Sequence, residues 1–246
     1  MSYVKKVLTA LSLSIILATS AIYAENNNIG VEQNSQVDGK KLLQDAYNYL
    51  GNLNKYTLNA KITNYYVADS KELVEKRNSV VHVNRPSQFK INTKDEYIDR
   101  TVYLNDGVFT MMDNKEKYYA TVNTGTNIDQ TLVKIRKNLG IVLPLSTFMH
   151  SDMNKFIKPN KVQYFGTRDL NGVECNYIAF RLGKTVIHMW IENSNRPLIR
   201  SAKIITKDKG TTDMVLNWDV EDNFKNDIFI FKAPKNASNI SIRAAK

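Results

Sequence analysis

The sequence predicts a mainly β protein of the α+β class, with roughly ten or eleven antiparallel strands and two or three helices. Three observations lead there. Short runs of alternating apolar and polar residues recur from Tyr56 to Asp219, and turn residues separate them. No βαβ rhythm occurs anywhere in the chain. The densest stretch, Arg77 to Val122, reads as an antiparallel meander with one dry and one wet face.

Residues 1–24 read as a signal peptide. Lys5 and Lys6 form a positive n-region, Val7 to Ala18 an apolar h-region, and small residues lead to Ala24. The apolar run is short of the roughly 20 residues a membrane span wants. No cysteine lies near the cleavage point to accept a lipid anchor, so the mature chain is expected to be exported, soluble and free of a stable membrane anchor. Residues 25–37 are polar and Asn/Gln-rich, an expected disordered lead-in. Residues 38–246 are then expected to form a single domain.

Asp38 is placed to cap a helix reaching about Leu53, whose stripe of Leu42, Leu43, Ala46, Leu50 and Leu53 needs an apolar surface to cover. Tyr56, Leu58, Ala60 and Ile62 then alternate with polar residues as a strand with one buried face, and a charged hairpin at 69–72 returns the chain to the meander. Within the meander, Val81 and Val83 alternate until Arg85-Pro86. Phe89, Ile91 and Thr93 follow, and Asn105-Asp106-Gly107 supplies the positive-φ residues of a tight hairpin.

Between Thr126 and Met153 the period becomes helical. Ile128, Leu132, Ile135 and Leu139 recur at helical spacing between a capping Asn127 and a terminating Gly140. This apolar insertion is either a plug or lid over the concave face of the sheet, or the closure of one end of the core. Strands resume at 161–167, 173–182, 186–192, 199–207 and 213–219, and Phe229 and Phe231 read as a terminal strand stopped by Pro234.

The 246 residues carry a formal charge of +10, which becomes +8 over the 222 residues left without Lys5 and Lys6. That charge is interleaved with acids, and export argues against nucleic acid as a partner. Cys175 is the sole cysteine, so no internal disulfide forms. It could be a reactive thiol or an intermolecular linker, but its place in an alternating run favours a buried structural thiol. His82, His150 and His188 lie far apart without metal-ligand spacing, and Gly-x-Ser-x-Gly, a phosphate-cradling glycine loop and CxxC are all missing. No catalytic residue, metal or cofactor is expected, and the chain is read as a non-enzyme.

The order helix, strand, hairpin, Arg85-Pro86-x-x-Phe89, Asn105-Asp106-Gly107 resembles the LolA/LolB/RseB superfamily of periplasmic lipoprotein-handling proteins. Further matches are Met189-Trp190-Ile191-Glu192-Asn193 with Arg196-Pro197-Leu198, and the closing Phe229 to Lys235. The chain is most similar to that group's branch of uncharacterised predicted periplasmic proteins, through Tyr119-Ala120-Thr121, Leu139 to Leu145 and Gly172-Val173-x-Cys175-x-x-x-Ala179-Phe180. The resemblance implies a strongly curved antiparallel sheet, an unclosed half-barrel, with the helices in or across its mouth. It also implies an apolar groove that shields a lipid or lipoprotein acyl chain, or alternatively an envelope-sensing module of the RseB type that binds an envelope protein.

Strand alternation nominates Tyr103, Phe109, Met111, Tyr119, Met189 and Trp218 as groove-lining residues, although any β core contains such side chains. By the same resemblance Arg85 is the candidate tether of the lid, its alternative role being to fix a strand end.

Overall fold

A computed structural model describes residues 37–221 and 223–242. The expected signal peptide and lead-in lie outside the described residues, Val37 excepted.

Helix α1, Gly39–Asn52, starts where expected because the Asp38 carboxylate accepts from the Lys40 amide at 2.8 Å. It buries Leu43, Ala46, Tyr47 and Leu50. Six strands follow: β1 Lys55–Ala68, β2 Lys71–Asn84, β3 Gln88–Lys94, β4 Asp99–Asn105, β5 Val108–Asp113 and β6 Tyr118–Asn123. The insertion holds α2 Ile128–Leu139, a 3-10 turn Ser146–Met149 and the one-turn α3 Met153–Phe156. The chain then forms β7 Val162–Leu170, β8 Val173–Leu182, β9 Thr185–Glu192, β10 Ile199–Thr206 and β11 Gly210–Asp219. A second 3-10 turn, Asn226–Phe229, precedes β12, Ser238–Asn239.

All strands join one curved sheet in the order β12, β6, β5, β4, β3, β2, β1, β11, β10, β9, β8, β7. Every pairing is antiparallel except β12 on β6. The edge strands β7 and β12 do not pair with each other, so the sheet is an unclosed half-barrel, as expected. The β1–β11 pairing joins the two meanders, with Leu58 opposite Trp218.

Register places one continuous apolar row across seven strands on the helix-covered inner face. It runs Trp218, Leu58, Val81, Ile91, Val102, Met111, Ala120. The neighbouring row is Tyr56, Val83, Phe89, Leu104, Phe109 and Val122. Most of these residues are fully buried, and at about 25 cal/mol per Å² of apolar surface this face is the main source of stability.

The expected terminal strand at Phe229 and Phe231 is corrected. Ile228 N bonds Lys225 O and Ile230 N bonds Asp227 O, so local turns rather than a neighbouring strand satisfy this backbone. The segment instead crosses the outer face of the sheet, where Phe224 packs on His82 and Phe231 on both Tyr103 and Tyr119. Alternating phenylalanines look the same in sequence whether they line a strand or pin a strap.

Candidate functional site

The inner face is partly filled by the chain's own helices. Over β9, Tyr47 of α1 brings its Oη to 3.9 Å from Met189 Sδ. At the centre, Phe148 of the 3-10 turn meets Trp218 edge-on at 5.8 Å, and Tyr56 lies 5.5 Å from the same ring. The Tyr56 hydroxyl donates to Phe148 O at 2.9 Å. Burial drives the Tyr47 and Tyr56 phenol pKa values upward, so both stay neutral donors.

Arg85 fastens this turn to the sheet. Its Nε donates to Leu53 O at 3.0 Å, Nη1 to Met149 O at 2.7 Å and Nη2 to His150 O at 3.1 Å. One guanidinium therefore clasps the end of α1 and the end of the 3-10 turn together, a use of its fixed fork of donors that a lysine would not reproduce.

A second fastening joins the turn to α2. Asp129, in the first turn of α2, accepts from His150 Nδ1 at 2.8 Å, from the Ser151 amide at 3.1 Å and from Ser151 Oγ at 2.6 Å. Burial raises the Asp129 pKa. The bonds from His150 and Ser151 outweigh that and hold the carboxyl down at about 2.

The linker between α2 and the 3-10 turn is built differently. Gly140 takes φ 68° and Leu145 φ 60°, so left-handed residues bracket Ile141 to Pro144. Leu143 and Leu145 are buried while Val142 is 70 % exposed.

A cavity lies on each side of this linker. One, of about 280 Å³, is lined by Leu132, Ile135, Arg136 and Met153 as well as the linker. The other, also about 280 Å³, lies over the sheet, against Arg77, Thr93, Arg100, Val102 and Met111. Ile141, Val142 and Leu143 line both, so the linker is the partition between them.

The structure separates the six nominated residues. Phe109, Met111, Met189 and Trp218 share the inner face, and Met111 lines the cavity over the sheet. Phe109 and Met189 are buried in the packed core. Tyr103 and Tyr119 stand on the outer face, at 5.5 and 5.0 Å from Phe231.

Arg77 and Arg100 were missed as cavity residues. The signal was available, since alternation counted four back from Val81 and two back from Val102 puts both on the inner face.

Cys175 is fully buried, and burial pushes its thiol pKa up. The three histidines do not converge: His82 bonds Thr57, His150 bonds Asp129 and His188 bonds Tyr177. Among the described residues, no group of three or more His, Cys, Asp or Glu could hold a metal ion, and no helix is long and apolar enough to cross a membrane.

In comparisons with known proteins, no curated protein matches the chain. Among solved structures, it is similar to an uncharacterized conserved protein of Thermus thermophilus, at 7% identity and a TM-score of 0.48, over 82% of this chain and 98% of that one. It is similar to LprF of Mycobacterium bovis at 12% identity and a TM-score of 0.43, over 81% and 97% of the two chains. It is also similar to a LolA superfamily protein of Nitrosomonas europaea, at 8% identity and a TM-score of 0.39, over 79% and 98%. A family model described as "Predicted periplasmic protein (DUF2092)" matches residues 39–243, from the first residue of α1 to beyond β12, and the chain therefore belongs to this periplasmic family.

Proposed function

We propose that this protein is a periplasmic lipid-binding protein that shields an acyl chain of a lipid or lipoprotein, without catalytic activity. One observation carries the reading: a cavity of about 280 Å³ over the inner face of the sheet and another of about 280 Å³ within the helical insertion share the linker of Ile141, Val142 and Leu143 as a common wall. Each alone falls just short of the ~300–1,000 Å³ usual for ligand pockets. Displacing the linker would merge them into one elongated groove whose part over the sheet is the apolar one, with Arg136, Ser146, Thr147 and His150 lining the far part.

An acyl chain suits such a groove because it gains about 0.8 kcal/mol for each CH₂ removed from water and asks for few directional contacts. Met111 at its floor is an adaptable lining residue. In this reading the insertion 126–157 is the lid and Arg85 its tether, since Arg85 binds the carbonyls of Met149 and His150 where the 3-10 turn ends. Phe109, Met189 and Trp218 support the groove from the core. Tyr103 and Tyr119 belong to the strap on the other face.

The test is native mass spectrometry of the mature protein taken from its own periplasm, followed by lipid extraction. A near-stoichiometric acylated species is expected. An empty, monodisperse protein would count against the carrier reading.

The sensing alternative has an observation of its own. The far half of the β1–β2 hairpin exposes Tyr65, Val67 and Val74, with Tyr97 nearby at 75 % exposure. If the protein is empty and captures an envelope protein through this hairpin, the sensing module is the better reading.

A further inference from the structure

The cavity over the sheet is not uniformly apolar. Its floor and lid end are Val102, Met111, Ile141, Val142, Leu143 and Pro144, whereas its outer end is Arg77, Thr93 and Arg100 with Ile98 beside them. Register explains the change. Two residues along from the apolar row Val81, Ile91, Val102, Met111 comes the polar row Ser79, Thr93, Arg100, Asp113, and Arg77 stands one further step along β2. Ser79 and Thr93 bond each other at 3.1 Å. The cavity therefore runs from hydrocarbon to cation along the direction of the strands.

We propose that Arg77 and Arg100 hold the anionic head, a carboxylate or phosphate, of an amphiphile whose chain lies in the cavity beneath the Ile141–Pro144 linker. This rests on the lipid-binding reading above and narrows its ligand to an acidic lipid.

Two carboxylates already face the arginines. Asp95 accepts Arg77 Nε at 2.9 Å, and Asp113 lies 3.5 Å from Arg100 Nη2. Both are also committed to turns: Asp95 accepts the Tyr97 and Ile98 amides, and Asp113 accepts the Lys115 and Glu116 amides. Burial raises both carboxyl pKa values, and the turn amides with the arginines more than reverse it, so both stay ionised.

Neither carboxylate lines the cavity. The contact to Arg77 uses only Nε, and that to Arg100 is longer than a hydrogen bond. The remaining guanidinium donors are directed by a planar fork suited to a carboxylate or phosphate. Arg100, with 42 % of its side chain exposed, stands at the entrance, and Arg77, at 23 %, lies deeper. A neutral lipid would gain the apolar contacts but bring no charge to the guanidinium donors that Asp95 and Asp113 leave over.

The test compares decanoate with decanol at pH 7 by titration calorimetry on the mature protein, using inorganic phosphate as the head group alone. Decanoate is expected to bind at least tenfold tighter than decanol. Arg100→Gln should abolish that preference, bringing decanoate to within about twofold of decanol on the same variant, with the circular dichroism spectrum retained. Arg77→Gln should do the same, and if it unfolds the chain through the loss of the Asp95 partner, the ligand comparison on the wild type still decides.

Equal affinity for acid and alcohol overturns the inference while leaving the lipid-binding reading intact. Binding of neither overturns both. Phosphate alone binding as tightly as decanoate makes this a free-anion site and overturns the amphiphile assignment.

Discussion

Replacing Arg85 with alanine tests whether the insertion is a tethered lid. The substitution removes donors to Leu53 O, Met149 O and His150 O, at 3.0, 2.7 and 3.1 Å. Two of these bonds hold the end of the 3-10 turn, and the third stays within the α1–sheet frame. A hydrogen bond from a charged donor contributes roughly 1.5–3 kcal/mol net. Two bonds at the low end of that range lower the cost of lifting the turn by about 3 kcal/mol, or roughly a hundredfold in the opening equilibrium.

Some anchorage survives, because Tyr56 still donates to Phe148 O and Asp129 still accepts from His150 and Ser151. The expected result is therefore local loosening. By hydrogen exchange followed by mass spectrometry, amides in 146–157 should exchange roughly a hundredfold faster, while amides of β3 and β4 keep their protection. Unchanged protection over 146–157 would refute the tether. So would an equal loss throughout the sheet, which would make Arg85 a general stabiliser.

Three further outcomes follow from the two-faced sheet and its fastenings. Met111→Asp should abolish acyl-ligand binding with the fold retained, because a carboxylate without a partner is costly in the cavity floor; unchanged calorimetric binding removes Met111 from the groove. Phe231→Ala should do the converse, costing about 1–2 kcal/mol in urea unfolding through the lost contacts with Tyr103 and Tyr119 while ligand affinity stays constant. For Asp129 the folded pKa of about 2 lies below the model-peptide 3.8, so its stabilisation is complete above about pH 4 and fades as pH falls toward 2. With a third of its side chain exposed, the contribution is about 1 kcal/mol, and Asp129→Asn should remove that much at pH 7 and nothing near pH 2.

Local chemistry explains which parts of this arrangement the sequence made legible. Asp106 and Gly107 take φ 47° and 89°, the turn that an Asn-Asp-Gly run demands, and Asn127 and Gly140 cap α2 as their side chains and backbone freedom dictate. Asp38 starts α1 for the same reason. These signals depend on a few neighbouring residues.

The nominated site depended on something longer-ranged: which face of the sheet is covered, and by what. Alternation alone separates Tyr103 from Val102 and Leu104, but it does not say that both faces of this meander are covered. The inner face lies under the helices, the outer under the C-terminal strap. With Thr101, Thr110 and Met112 buried on the outer side too, burial no longer distinguishes groove from back. The strap read as a strand for the same reason, since Phe229 and Phe231 bury their rings against a partner that only the fold supplies.

This division of the two faces also bears on where a ligand can enter. Tyr47, Phe148 and Trp218 fill the inner face from β9 to β1, so a chain entering there would have to expel large side chains from a close-packed core. Between β2 and β5 the cover is thinner, a linker whose contacts are Leu143 and Leu145 on one side while Val142 points to water. Leu145 holds a left-handed conformation that costs a non-glycine residue about 1–2 kcal/mol. That cost is offset while Leu143 and Leu145 stay buried, and the bonds of Arg85 and Asp129 fall on residues 149–151, outside the linker. An acyl chain taking over the apolar surface that these leucines cover would release the strained backbone as it enters. Arg85 and Asp129 would meanwhile keep the 3-10 turn in place, confining the movement to the segment between the two cavities.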